Sequence, residues 1–100
     1  MPSINEYKVL VKQFLDGEIS TTQFENRYSA MFKAESGELE EKFFLILDRL
    51  QCDIHVYEPN PELYKELSEE RPGFYLNEIE LREEARVALR KLSDLEKENS

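Results

Sequence analysis

What this chain lacks sets the first bounds on it. Cys52 is the single cysteine in 100 residues, so no internal disulfide and no four-cysteine zinc site can form, and a reducing cytoplasm is the natural setting. No apolar run approaches the roughly 20 residues that span a bilayer. The opening MPSINEYKVL has neither a basic region nor a long apolar core, so no export or membrane insertion is expected. Positive charge is scarce: 13 Lys and Arg stand against 22 Asp and Glu, a net charge of −9. Like charges repel, which disfavours nucleic acid and anionic membrane as direct partners and favours a basic protein. P-loop, GxGxxG and nucleophile-elbow patterns are all missing, so no cofactor is expected.

What is present describes one folded domain spanning residues 1–100. Forty per cent of the chain is hydrophobic and 11% aromatic, far more than a disordered chain carries. The acidic excess is uneven. Met1 to Ala34 holds four acids and four bases, Glu35 to Glu84 fifteen acids and five bases, and Ala85 to Ser100 three acids and four bases. The middle therefore carries the whole field, 5 − 15 = −10.

Apolar spacing places the elements. Ile4, Tyr7, Leu10, Val11, Phe14 and Leu15 recur at intervals of three and four, the signature of a helical face. Gly17 follows as a helix stop, because a residue without Cβ adopts positive φ at little cost. Ser20-Thr21-Thr22-Gln23 then reads as a capping box, with Ile19 and Phe24 spaced as its hydrophobic staple, so a second helix starts at Thr21. So short a corner implies antiparallel helices. Ser36-Gly37 interrupts again. Leu39, Phe43, Ile46, Leu47 and Leu50 predict a third helix, buried nearly all round. The segment DIHVYEPNP from Asp53 to Pro61 predicts an extended crossing, since prolines exclude a continued helix. Glu62 to Glu70 can form a short helix that Arg71-Pro72-Gly73 ends. Asn77 and Glu80 repeat the capping box before a last helix bearing Leu81, Ala85, Ala88, Leu92 and Leu95, with fraying expected over Glu96 to Ser100. The expected fold is all-α: a small antiparallel four-helix bundle with a longer crossover between helices three and four.

Chemistry is thin. Cys52, Asp53, His55 and Glu58 lie close in sequence, but a thiol–imidazole dyad also needs an orienting group and an oxyanion hole, and no donor set for one is visible. Their spacing matches no zinc or calcium signature. The Glu40-Glu41, Glu69-Glu70 and Glu83-Glu84 pairs read as solvated helix faces. No enzyme, metal site or cofactor is therefore expected. Tyr57, Tyr64 and Tyr75 sit in predicted turns within the acidic middle, where a tyrosine offers contact area and a hydroxyl to a partner.

The corner FLDGEISTTQFENRY, the segment DIHVYEPN and the stretch LNEIELREEARVALRKL together resemble the colicin D immunity protein family, the bacterial self-protective colicin-like immunity domain. That family includes immunity proteins of contact-dependent inhibition toxins. The resemblance runs from about Tyr7 to Leu92. It implies a four-helix bundle that forms a 1:1 complex with a cognate basic ribonuclease domain directed at transfer RNA, blocking the active-site groove with acidic residues in place of substrate phosphates. Carried onto this chain, it points to Asp53, Tyr57 and Glu58, and beyond them to Asp48, Glu62, Glu69 and Glu70. The rival reading is a helical adaptor that binds a peptide or self-associates along the Leu81-Ala85-Ala88-Leu92-Leu95 seam.

Overall fold

The computed structural model describes residues 4–35 and 39–98. The Ser36-Gly37 interruption and residues 99–100 of the expected frayed end lie outside them. Among the described residues there are five helices and no strand: α1 (Ile4–Leu15), α2 (Thr21–Lys33), α3 (Glu41–His55), α4 (Pro61–Glu70) and α5 (Glu78–Glu98). Helices α1 and α2, α2 and α3, α3 and α5, and α5 and α1 pack in turn. The short helix expected over residues 62–70 forms as α4, beside the four main helices, and contributes no buried residue.

Helix α1 buries Tyr7, Leu10, Val11 and Phe14 on one face. It closes in a Schellman motif. The Glu18 amide reaches back to the Gln13 carbonyl at 2.9 Å and the Gly17 amide to the Phe14 carbonyl at 3.2 Å. Gly17 has φ +79°, and beyond its own chain neighbours no atom lies within 4 Å of where a Cβ would stand. Backbone conformation alone, not crowding, requires the glycine. Three residues later the capping box is complete: the Gln23 amide donates to Ser20 Oγ at 3.1 Å and the Ser20 amide to Gln23 Oε1 at 2.9 Å. Across this corner the rings of Phe14 and Phe24 stack at 4.2 Å, nearly parallel.

Helix α3 differs from expectation in its length and in its burial. It continues through Cys52, Asp53, Ile54 and His55, so the extended crossing begins only at Val56. Pro59 restricts just the residue before it, while Ile54 prolongs the buried stripe of Phe43, Leu47 and Leu50 by one turn. Nor is α3 buried all round: Leu45 is 58% and Phe44 37% exposed. Tyr28 crosses from α2, its hydroxyl donating to the Leu47 carbonyl at 2.8 Å. Burial chiefly raises its pKa, helped by the nearby charges of Tyr7, Asp48 and Asp53.

After α3 the chain makes one parallel bridge, Tyr57 with Leu76, through Leu76 N to Val56 O at 3.0 Å and Glu58 N to Leu76 O at 2.8 Å. Between these two points runs α4, capped by Asn60, whose Oδ1 accepts from the Glu62 and Leu63 amides. Asn77 and Glu80 then bond reciprocally at the start of α5, at 2.8 and 3.0 Å. Helix α5 buries Leu81, Ala85, Ala88 and Leu92 against its own core, with Leu95 half-buried beside them. The seam assigned to a partner by the adaptor reading is therefore already occupied. Helix α5 stays helical to Glu98, and Lys8 bonds Glu96 at 2.5 Å.

Two substitutions measure these terms in urea denaturation. Ser20→Ala is expected to cost about 1 kcal/mol, and Phe24→Ala about 3–5 kcal/mol because it empties the stack on Phe14. A smaller loss for Phe24→Ala than for Ser20→Ala would deny the corner its place in the core.

Candidate partner-binding surface

The residues singled out from sequence fall into separate places. Tyr57 and Glu58 follow α3, half-buried, where the Leu76 bridge holds them. Folding brings two carboxylates to them that sequence reasoning missed: Glu25 from α2 and Glu78 from α5. The pKa of the Tyr57 phenol is raised, first by burial and then by Glu78, Glu25 and Glu58, with Arg82 opposing. Burial also raises Glu25. Thr21 of α2 donates its hydroxyl to Glu78, tying the two helix starts together. Beside this group lies a cleft of about 470 Å³ walled by Glu58, Pro59, Pro61, Tyr64 and Ile79. Ile79 is 79% exposed, an unusual position for so large an apolar side chain on an otherwise well-patterned helix. Its phase was the available signal, since it stands nearly opposite Leu81 on the helical wheel.

Asp53 belongs elsewhere. It is only 6% exposed, on α3, at the side of a groove of about 350 Å³ that also involves Leu45, Arg49 and, from α5, Glu84 and Val87. Arg49 Nε lies 3.4 Å from Asp53 Oδ1, a long contact made by a side chain that is 72% exposed. The carboxyl is pushed above its ordinary pKa, most by burial and next by Glu84, against the lowering effect of Arg49. Asp48, also on α3, is half-buried, and its charge bears on the Tyr28 hydroxyl. Glu62, Glu69 and Glu70 are exposed on α4. Folding therefore gathers Tyr57 and Glu58 but separates Asp53 from them.

The arrangement offers recognition rather than reaction chemistry. Cys52 is exposed, and His55 Nε2 lies 3.2 Å from the Gln51 amide nitrogen, which also reaches Ser29 Oγ. Among the described residues no group of His, Cys, Asp or Glu is placed to hold a metal ion, and no helix is long and apolar enough to cross a membrane.

A family model described as bacterial self-protective colicin-like immunity matches residues 2–92. The chain belongs to that family. No curated protein and no solved structure matches it. Colicin-like immunity proteins are inhibitors and not enzymes, so this is a toxin-neutralising immunity protein that binds a cognate toxin. Exposed carboxylates and an exposed isoleucine at a cleft suit that task, since tight protein contacts combine an apolar anchor with a polar rim.

The buried acid gives a signed test in the free immunity protein. A carboxyl whose folded-state pKa is raised binds its proton more tightly folded than unfolded, so its ionisation opposes folding. That penalty grows as pH rises through the unfolded and then the folded pKa, and is constant above. Asp53→Asn should therefore raise the melting temperature at pH 7, with the gain shrinking as pH falls through the raised folded-state pKa and gone below the usual aspartate range. A variant less stable at pH 7 would mean that the Arg49 contact outweighs desolvation.

Proposed function

We propose that the toxin is a basic ribonuclease domain acting on transfer RNA, of the colicin D or contact-dependent inhibition type, and that this immunity protein closes its active-site groove in a 1:1 complex. The observation that carries the reading is the convergence of Glu25, Glu58 and Glu78 around Tyr57, and Glu62, Glu69 and Glu70 stand exposed on α4. A groove built for RNA attracts polyanions, and carboxylates held on separate helices present negative charge without the ordering cost of a flexible acidic tail. The bases Lys8, Lys12 and Arg86 gather instead along the α1–α5 groove. Asp48 and Asp53 enter this reading as contributors to the same negative field. Asp53 would touch a partner only through the α3–α5 groove.

An acidic inhibitor gains most from charge in the rate of encounter, where complementary fields raise association to on the order of 10⁸–10⁹ M⁻¹s⁻¹ at low salt. Stopped-flow mixing with the toxin nuclease domain should show association slowing by about tenfold or more as the screening length contracts from about 10 Å at 0.1 M salt to about 3 Å at 1 M. Salt-independent association would remove the acidic-surface mechanism while leaving immunity itself intact.

Charge reversal locates the contact. Glu58→Lys and Glu78→Lys should each weaken toxin binding by about tenfold or more, whereas Glu98→Lys, at the far end of α5, should change it little. Equal effects at all three positions would point to net charge alone and reject the Tyr57 region as the contact.

A further inference from the structure

Helix α4 raises a question of stability that the rest of the fold does not answer. It is 10 residues long and buries none of them, whereas isolated helices shorter than about 12–15 residues are marginal in water. The Asn60 cap and Pro61 in its first turn favour its start. Its inward side is only the half-buried stripe Tyr64, Leu67 and Ser68, and every other residue is exposed. The polar tie from this stripe to the body is short: the Tyr64 hydroxyl donates to Glu80 Oε1 at 2.6 Å. The same oxygen accepts from the Asn77 amide at 3.0 Å. Glu80 thus starts α5 and holds α4 with one atom. The bond to Glu80 is also the leading reason that the pKa of Tyr64 is raised, which keeps the phenol a donor.

We infer that Tyr64 is a positioning residue, whose bond to Glu80 sets α4 as a rigid second arm that presents Glu62, Glu66, Glu69 and Glu70 to a basic surface of the toxin. The outward side of the helix carries those four acids against the single base Lys65, and Leu63, 41% exposed, adds an apolar contact among them. The Tyr57–Leu76 bridge clamps both ends of the excursion that bears α4, so loss of the Tyr64 bond would free the helix without opening the core. Tyr64 also walls the cleft beside Glu58 and Ile79, so the same bond sets the arm relative to the Tyr57 region. The inference rests on the acidic-surface reading above and assigns it a second, separately adjustable element.

The test compares Tyr64→Phe, Glu80→Gln and the unaltered chain by amide hydrogen exchange of the free protein, thermal melting, and dissociation from the basic nuclease domain of its cognate toxin. In Tyr64→Phe the amides of Glu62 to Glu70 should exchange about tenfold faster while those of α1 and α3 keep their protection. The melting temperature should hold, and dissociation should quicken by about tenfold. Glu80→Gln keeps an oxygen that accepts from both Tyr64 and Asn77 and should behave as the unaltered chain does. Unchanged exchange in α4 of Tyr64→Phe overturns the latch. Faster exchange in α4 with unchanged dissociation overturns its role as an arm and leaves immunity standing. Failure of the unaltered chain to bind the domain overturns the parent reading, and this inference with it, before any variant is compared.

Discussion

Phe14 is the point on which three helices depend. One face of its ring stacks on Phe24 of α2 at 4.2 Å, and the Arg82 guanidinium of α5 lies over the ring at 4.4 Å. Its carbonyl, left without an intrahelical partner at the end of α1, accepts from the Gly17 amide at 3.2 Å and from Arg82 Nη1 at 2.8 Å. One residue therefore joins aromatic stacking, a cation over a π face and a helix-end hydrogen bond. Arg82 sits one turn into α5, so its attachment to Phe14 also sets where Glu78 and Ile79 emerge. The candidate binding surface is positioned from the corner.

Recognition and stability pull apart elsewhere. A nearly buried carboxylate with one long ionic contact and a second carboxylate across the groove is a poor way to stabilise a helix pair. Asp53 is such a group. An apolar residue of similar size would pack there at lower cost, and an isoleucine at position 79 would contribute more to stability if it were inside. Departures of this kind gather where a protein meets something else. Their presence in the α3–α5 groove and at the start of α5 agrees with a protein whose task is to bind a toxin.

Helix α4 illustrates the other limit of small-domain architecture. One hundred residues supply a core for four packed helices, and the remaining helix must rely on caps, a bridge and side-chain bonds. Such an element changes its surface without disturbing the core, because none of its side chains is part of it.

How much of this was legible in the sequence follows the range of the interactions. Both capping boxes, the Gly17 stop, the start of α2 and the apolar stripes of α1 and α5 depend on residues within five positions of one another, and these local bonds were readable from order alone. Tyr57 was singled out by its turn in the acidic middle and, with Glu58, by resemblance to a family, whereas Glu25 and Glu78, whose charges fall beside Tyr57 in the fold, were not. The extension of α3 through His55, the burial of Asp53, the exposure of Leu45 and Ile79 and the tie from Tyr64 to Glu80 were decided only by tertiary structure. Each depends on how helices distant in sequence lie against one another, and helical periodicity ranks the faces of each helix without saying which charges on different helices will meet.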